Sequence, residues 1–111
     1  KHHCLGVDPQ TIKAFGLTSE EVAGEMASGA LDRSGADFAI AVTGKAESDD
    51  ELDGVICFAY ALRMHHITKI ITQTKKFNGE RGVVMRSAGE YAILNIAHIY
   101  GQLLDQFTFI E

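Results

Sequence analysis

Hydrophobic and polar positions along the chain predict two helices before the first strand. Asp8-Pro9 is suited to opening a helix, because an aspartate can cap free backbone amides and proline fits the first helical position. Gly16 ends this helix early. A second helix starts at Thr18-Ser19, carries apolar residues at helical spacing to Arg33, and ends at Gly35. Its many alanines predict close packing against a sheet.

Apolar runs and polar connections alternate in the middle of the chain, which predicts three strands. Phe38–Val42 is apolar without alternation, as in a central strand buried on both faces. A polar loop, Lys45–Asp53, separates it from a second apolar run, Gly54–Leu62. The segment Arg63–His66 is short enough for a hairpin. Ile67–Thr74 mixes isoleucine with polar residues, as expected of a strand nearer an edge.

The longest predicted helix begins at Asn78 and runs to about Asp105. The final residues, 107–111, fit either a tail or a short added strand. The chain is therefore predicted to have an α/β fold, a three-layer domain with a central mixed β-sheet flanked by helices. No repeat or linker divides the 111 residues, so a single domain over residues 1–111 is expected. The inward stripe of the long helix is predicted to be Val84, Ala88, Tyr91, Ala92, Ile96, Ile99, Tyr100, Leu103 and Leu104.

Composition narrows the class of protein. An apolar fraction of 46% with 23% charged residues is ordinary for a globular domain. The net charge of −5 disfavours non-specific binding to nucleic acid or anionic lipid. No apolar run approaches the roughly 20 residues that cross a bilayer. Cys4 and Cys57 have no metal-ligand spacing and are expected to be reduced packing residues of a cytoplasmic protein.

Arg81 is the best candidate for ligand binding on physical grounds. It falls in the first turn of a predicted helix, where a cation opposes the helix dipole at a cost of up to about 1 kcal/mol. Free amides at a helix start together with a guanidinium can bind an anion. The alternative is pairing with Glu80 or another surface acid. Arg86 lies about 140° further round the helix, so it need not share a face with Arg81.

Other polar groups are weaker candidates. Adjacent histidines in His2-His3 and His65-His66 point in different directions, and the acidic stretch Glu47–Asp53 lacks the spacing and central glycine of a calcium loop. Solvated loops are expected there, with no metal and no cofactor. Thr43-Gly44 follows a buried strand, where ligands gather in α/β sheets, and an ordinary turn is the alternative.

Four segments, taken in order, resemble the CinA C-terminal domain family, the nicotinamide-nucleotide amidases. Lys1–Val7 resembles the stretch in which a lysine precedes Leu-Gly-Val. Gly16–Ala30 is similar to the family's capped second helix, and Ser34–Gly44 to its central strand and Val-Thr-Gly turn. Phe77–Arg81, with Arg86 five residues on, resembles its Phe-x-Gly-Asp-Arg segment. The match covers most of the chain and the later part of the family's domain, so the chain is expected to be a fragment of that domain.

The resemblance implies hydrolysis of the amide of nicotinamide mononucleotide, which gives nicotinate mononucleotide and ammonia. In such enzymes a serine attacks the carboxamide and a lysine takes its proton. By resemblance, Lys1 is the catalytic base, and Thr43 with Gly44 lines the substrate pocket. Arg81 and Arg86 are then expected to neutralise the nucleotide phosphate.

The chain departs from the family's pattern in two places. The family's serine lies in a Glu-Ser-Cys-Thr-Gly-Gly segment upstream of the lysine, and no serine of this chain has that context. A glycine-rich loop usually follows Val-Thr-Gly, whereas Lys45–Asp53 carries five carboxylates, which oppose a bound phosphate. The alternative is a catalytically inactive relative that acts as a nucleotide-binding or assembly module. A third alternative is an interaction domain that forms a homo-oligomer through the long helix or the last strand.

Overall fold

In the computed structural model, which describes residues 7–44 and 54–107, two helices precede the first strand. Pro9 is the first residue of α1, Pro9–Phe15, and Asp8 caps it. Ser19 caps α2, Glu20–Ser34, by accepting the backbone N–H of Val22 at 3.2 Å. Gly35 ends α2 in the left-handed conformation, with φ at 72°. Both predicted helices are confirmed, because local capping chemistry sets their ends.

Three strands form one antiparallel sheet in the order β1-β2-β3. They are β1, Phe38–Gly44, β2, Val55–Met64, and β3, Ile67–Lys76. Only two residues separate β2 from β3, so the predicted hairpin is confirmed. Both strand pairings among the described residues are antiparallel, and the mixed character predicted for the sheet is not found in this part of the chain. A parallel pair needs a crossover connection, which neither β1–β2 nor β2–β3 has.

The central strand of this sheet is β2, and the prediction of a central strand at Phe38–Val42 is wrong for the described residues. Every residue of β2 from Ile56 to Leu62 is buried. In β1, by contrast, only Ala41 is buried, and Val42 is 41% exposed. Both strands are apolar in sequence, so composition could not decide which of them lies in the middle. β2 is the central strand because it pairs with β1 on one side and with β3 on the other.

Two helices follow the sheet where one long helix was predicted. They are α3, Arg81–Leu94, and α4, Ile96–Asp105. Asn95 separates them, and its side-chain Nδ2 donates to the carbonyl oxygen of Tyr91 at 2.8 Å. Asparagine competes for backbone groups in this way and so interrupts a helix whose apolar pattern continues. Five of the predicted inward residues are buried, whereas Tyr100 and Leu104 are 39% and 37% exposed.

Helices pack on both faces of the sheet, so the α/β, three-layer class is confirmed. One face, here called the α2-side core, consists of Ala23, Ala27, Leu31, Ala41, Cys57, Ala59 and Ala61. The other, the α3/α4-side core, consists of Ile56, Phe58, Tyr60, Leu62, Val84, Ala88, Ala92, Ile99, Leu103 and Phe107. Alternate residues of β2 enter the two cores, as the period of a strand requires. The small side chains on the α2 side let that helix lie close to the strands.

Candidate functional site

The end of the sheet at which β1 finishes gathers three segments of the chain. Gly44 pairs with Ile56, and Val55 pairs with Lys76. The carbonyl oxygen of Gly54 accepts the N–H of Phe77 at 2.9 Å. The end of β1, the start of β2 and the end of β3 therefore lie side by side. We call this the Gly44 end of the sheet.

Thr43 points its side chain to the α2 side at this end. It pairs with Cys57, which belongs to the α2-side core. Its Oγ1 donates to the backbone carbonyl oxygen of Leu17 at 3.0 Å, so β1 is joined to the turn before α2. Gly44, the next residue, has no room for a side chain. A Cβ there would lie 2.6 Å from the carbonyl oxygen of Val55.

The start of α2 is also joined to β3. The carboxylate of Glu20 accepts hydrogen bonds from the hydroxyls of Thr72 at 2.7 Å and Thr74 at 2.5 Å. These bonds, the one from Thr74 first, hold the pKa of the Glu20 carboxyl below its ordinary value. Glu20 is thus a charged anchor between α2 and β3. Glu20 is not among the site residues predicted from the sequence, although its place in a first helical turn and the threonines at alternate positions of β3 are visible there.

Cys57 lies between Thr43 and Thr74 in the strand register but is not a candidate nucleophile. Its side chain is buried, as predicted for a packing residue. Burial raises the pKa of the thiol, and its Sγ lies 3.6 Å from the hydroxyl of Thr74. A protonated, inaccessible thiol is unreactive at neutral pH. Cys4 lies outside the described residues.

Arg81 begins α3 just beyond the Gly44 end of the sheet, whereas Arg86 points away from it. Arg81 precedes the buried Ala88 by seven residues, which places the two only about 20° apart round the helix. Arg86 lies about 160° from both Val84 and Ala88, on the opposite, exposed side. Side chains of a helix lean towards its N-terminus, so Arg81 leans towards the sheet end.

The start of α3 has few protein partners for its polar groups. The side chain of Glu80, at the N-cap position, makes no capping hydrogen bond. Within residues 7–44 and 54–107, no ion pair involves Arg81, so the pairing with Glu80 that sequence left open is not found. Amides and a guanidinium are therefore available there to an anion.

The structure brings Thr43, Gly44 and Arg81 to one end of the sheet, with the Thr43 side chain on the α2 side and Arg81 on the α3 side. Lys1 lies outside the described residues, as do His2-His3 and the acidic stretch 47–53.

No group of three or more histidine, cysteine or acidic side chains in the described part of the chain could hold a metal ion. None of its helices is long and apolar enough to cross a membrane.

A cleft of about 550 Å³ lies at the opposite end of the sheet, beside the β2–β3 hairpin. The Arg63 guanidinium there pairs with Asp32 at 2.8 Å and donates from Nε to the Thr68 hydroxyl at 2.8 Å. None of the residues predicted to bind substrate lines this cleft. Its lining consists of Gly35, Ala36, Asp37, Arg63, Met64, His65 and His66.

The sheet carries helices on both faces, so the protein is a three-layer α/β domain. A hydroxyl, a close-packed glycine and an arginine at one end of the sheet form the candidate site. The chain belongs to the CinA C-terminal domain family, whose model matches residues 1–100. The resemblance found in the sequence is thereby confirmed.

Relatives of known name or structure agree with this assignment. A CinA-like protein of Chlorobium limicola is 49% identical over 65 residues, 55% of this chain and 15% of the relative. The nicotinamide-nucleotide amidohydrolase PncC of Escherichia coli K12 is 35% identical over 97 residues, 84% of this chain and 57% of the relative. A crystal structure of a CinA superfamily protein from Escherichia coli superposes with a TM-score of 0.78 at 29% identity, covering 89% of this chain and 58% of that one. The chain thus spans little more than half the length of its amidohydrolase relative.

Proposed function

We propose that this chain is part of an amidase that hydrolyses nicotinamide mononucleotide to nicotinate mononucleotide and ammonia. The main support is its 33–35% identity, over 84% of the chain, to proteins named nicotinamide-nucleotide amidohydrolase. The fold adds support, because Thr43, Gly44 and Arg81 lie at one end of the sheet.

Each residue then has one role. Arg81, with the first amides of α3, binds the phosphate, since both offer charge or donors to an anion. Thr43 and Gly44 line the pocket for the carboxamide, and Lys1 removes the proton of the nucleophile. Arg86 faces away from the sheet, so the proposal gives the phosphate to Arg81 alone. The serine that attacks is supplied by a segment in the family's Glu-Ser-Cys-Thr-Gly-Gly context, which these 111 residues do not contain.

The proposal is tested by incubating the full-length protein with nicotinamide mononucleotide and measuring ammonia. We expect Arg81→Ala to raise KM about tenfold or more, because a charge-assisted hydrogen bond contributes about 1.5–3 kcal/mol. Arg86→Ala is the matched control, which removes the same side chain from the exposed side of α3 and is expected to leave KM unchanged. No ammonia from the unmodified protein at high concentration would refute the proposal.

The second candidate is a catalytically inactive relative that binds the nucleotide. The observation that favours it is the segment 45–53, whose five carboxylates stand where the family has a glycine-rich loop. Calorimetric titration with nicotinamide mononucleotide separates the two functions. Binding that Arg81→Ala abolishes, without ammonia release, supports the inactive relative, whereas binding with release supports the amidase.

A further inference from the structure

The direction of the Thr43 hydrogen bond is fixed by chemistry. A hydroxyl has one proton to donate and two lone pairs that accept. The partner of Thr43 is the backbone carbonyl oxygen of Leu17, 3.0 Å away, and a carbonyl oxygen can only accept. The single hydroxyl proton of Thr43 is therefore used in the hydrogen bond to Leu17. Only the lone pairs of the Thr43 hydroxyl oxygen can interact with a ligand.

The Leu17 carbonyl lies in a turn that hydrogen bonds stabilise. The hydroxyl of Ser19 donates to the carbonyl oxygen of Gly16 at 2.8 Å, and the N–H of Gly16 donates to Ile12 at 2.7 Å. Immediately after the turn, Glu20 ties α2 to β3 through two threonine hydroxyls. Both ends of the turn are thus fixed, so the Thr43 hydroxyl cannot easily reverse its direction when a ligand arrives.

We propose that Thr43 presents only an acceptor to the ligand and so determines specificity for a carboxamide over a carboxylate. This inference rests on the proposed site at the Gly44 end of the sheet. A carboxamide carries N–H donors that match the Thr43 lone pairs, whereas a carboxylate carries only acceptors, which repel them. Substrate and product of the proposed reaction differ in this one group, so the same hydroxyl holds the substrate and favours release of the product.

Calorimetry of nicotinamide mononucleotide and nicotinate mononucleotide on the full-length protein tests this, at a temperature at which no ammonia is released during the titration. We expect the unmodified protein to bind the amide about tenfold more tightly than the acid, the value of one hydrogen bond gained or lost. Thr43→Ser keeps the hydroxyl and is expected to keep the ratio. Thr43→Val keeps the shape and the strand preference but lacks the hydroxyl, and should bring the ratio to within about twofold. Thermal unfolding of each variant checks that the fold is retained.

The outcomes separate this inference from the proposed function. Equal binding of both mononucleotides by the unmodified protein, or a preference that persists in Thr43→Val, overturns the inference while the site stands. A second measurement follows the Thr43 methyl signal by NMR with nicotinamide and with nicotinate. A shift with the amide alone, in a protein that releases no ammonia, supports the acceptor role and contradicts the amidase. If the Thr43 methyl signal shifts with neither compound, the acceptor role of Thr43 is overturned.

Discussion

Gly44 and Gly54 are the two described residues that border the segment 45–53, and neither has space for a side chain. A Cβ on Gly44 would lie 2.6 Å from the carbonyl oxygen of Val55. Gly54 has a φ of 79°, and a Cβ there would run into the carbonyl oxygen of Phe77. Because both residues lack a Cβ, β1 can lie close to β2, and Gly54 can lie close to Phe77, between β3 and α3. This close approach forms the end of the sheet that carries Thr43 and lies just before Arg81.

Replacing Gly44 tests this close approach. We expect Gly44→Ala to lower the free energy of unfolding by roughly 1–3 kcal/mol, because the added methyl group meets the backbone of Val55 and Ile56 as well as the Ile56 side chain. Gly89→Ala is the control: Gly89 lies in α3 with no atom within 4 Å of its added Cβ. That change should raise stability by about 1 kcal/mol through helix propensity. Denaturant unfolding measures both, and equal effects would contradict the packing argument.

At the scale of elements, the β2–β3 hairpin is closed by a turn that its residues do not favour. His65 and His66 have φ values of 54° and 65°, both in the left-handed region. Two such residues in a two-residue loop form the type I′ geometry that Asn-Gly adopts most easily. The left-handed conformation costs a residue with a side chain roughly 1–2 kcal/mol. The hairpin therefore forms because the two ten-residue strands, not the turn, hold it together.

The double change His65→Asn with His66→Gly should relieve this cost. We expect the free energy of unfolding to rise by about 1 kcal/mol, part of the strain being offset by the greater freedom of glycine in the unfolded chain. Thermal unfolding at neutral pH measures it. The double change His65→Pro with His66→Gly places proline where φ must be positive and serves as the destabilising control. A loss of stability in the Asn-Gly protein would contradict the turn assignment.

Glu20 joins α2 to β3, and its contribution depends on pH. Because hydrogen bonds from Thr74 and Thr72 lower its pKa in the folded state, the stabilisation is present above the ordinary value of 4.5 and is lost as the pH falls through the lower folded value. Glu20→Gln should therefore lower stability at pH 7 by about 1 kcal/mol, a modest figure because Glu20 is only partly buried. The difference should vanish in strong acid. Urea unfolding between pH 2 and pH 7, with Thr74→Val as a second variant, measures it; a constant difference would refute the link.

At the scale of the whole molecule, the two outer edges of the described sheet differ in chemistry. β3 carries Lys69, Lys75 and Lys76, and charges of this kind discourage pairing with a further strand. β1 has no charged residue between Phe38 and Gly44. No strand among residues 7–44 and 54–107 pairs with the outer edge of β1. An apolar edge without charge favours association.

Self-association of this chain should therefore depend on β1. We expect sedimentation to detect oligomers of residues 1–111, and Val42→Lys, which adds a charge to a side chain that is 41% exposed, to shift them towards monomer. Ile70→Lys on β3, at a side chain that is 38% exposed, is the matched control and should have little effect. An equal response to both changes would contradict a role for the β1 edge.

Local signals in the sequence determined the ends of α1 and α2, the β2–β3 hairpin and the three-layer class. Caps, glycine stops and short connections act between neighbours in the chain, so they can be read without the fold. The family, too, could be recognised from four ordered segments. The amide-hydrolysing reaction, by contrast, stays a proposal, as do the roles of Lys1, Thr43 and Arg81.

Only the tertiary structure decided which strand is central, that Asn95 divides the last helix, and what the polar side chains contact. Strand order depends on pairing between distant residues, and apolar composition is the same for β1 and β2. Likewise, the bonds of Thr43 to Leu17 and of Glu20 to Thr72 join residues 26 and 52 positions apart. No periodicity encodes such pairs, because their geometry exists only once α2 has packed on the sheet.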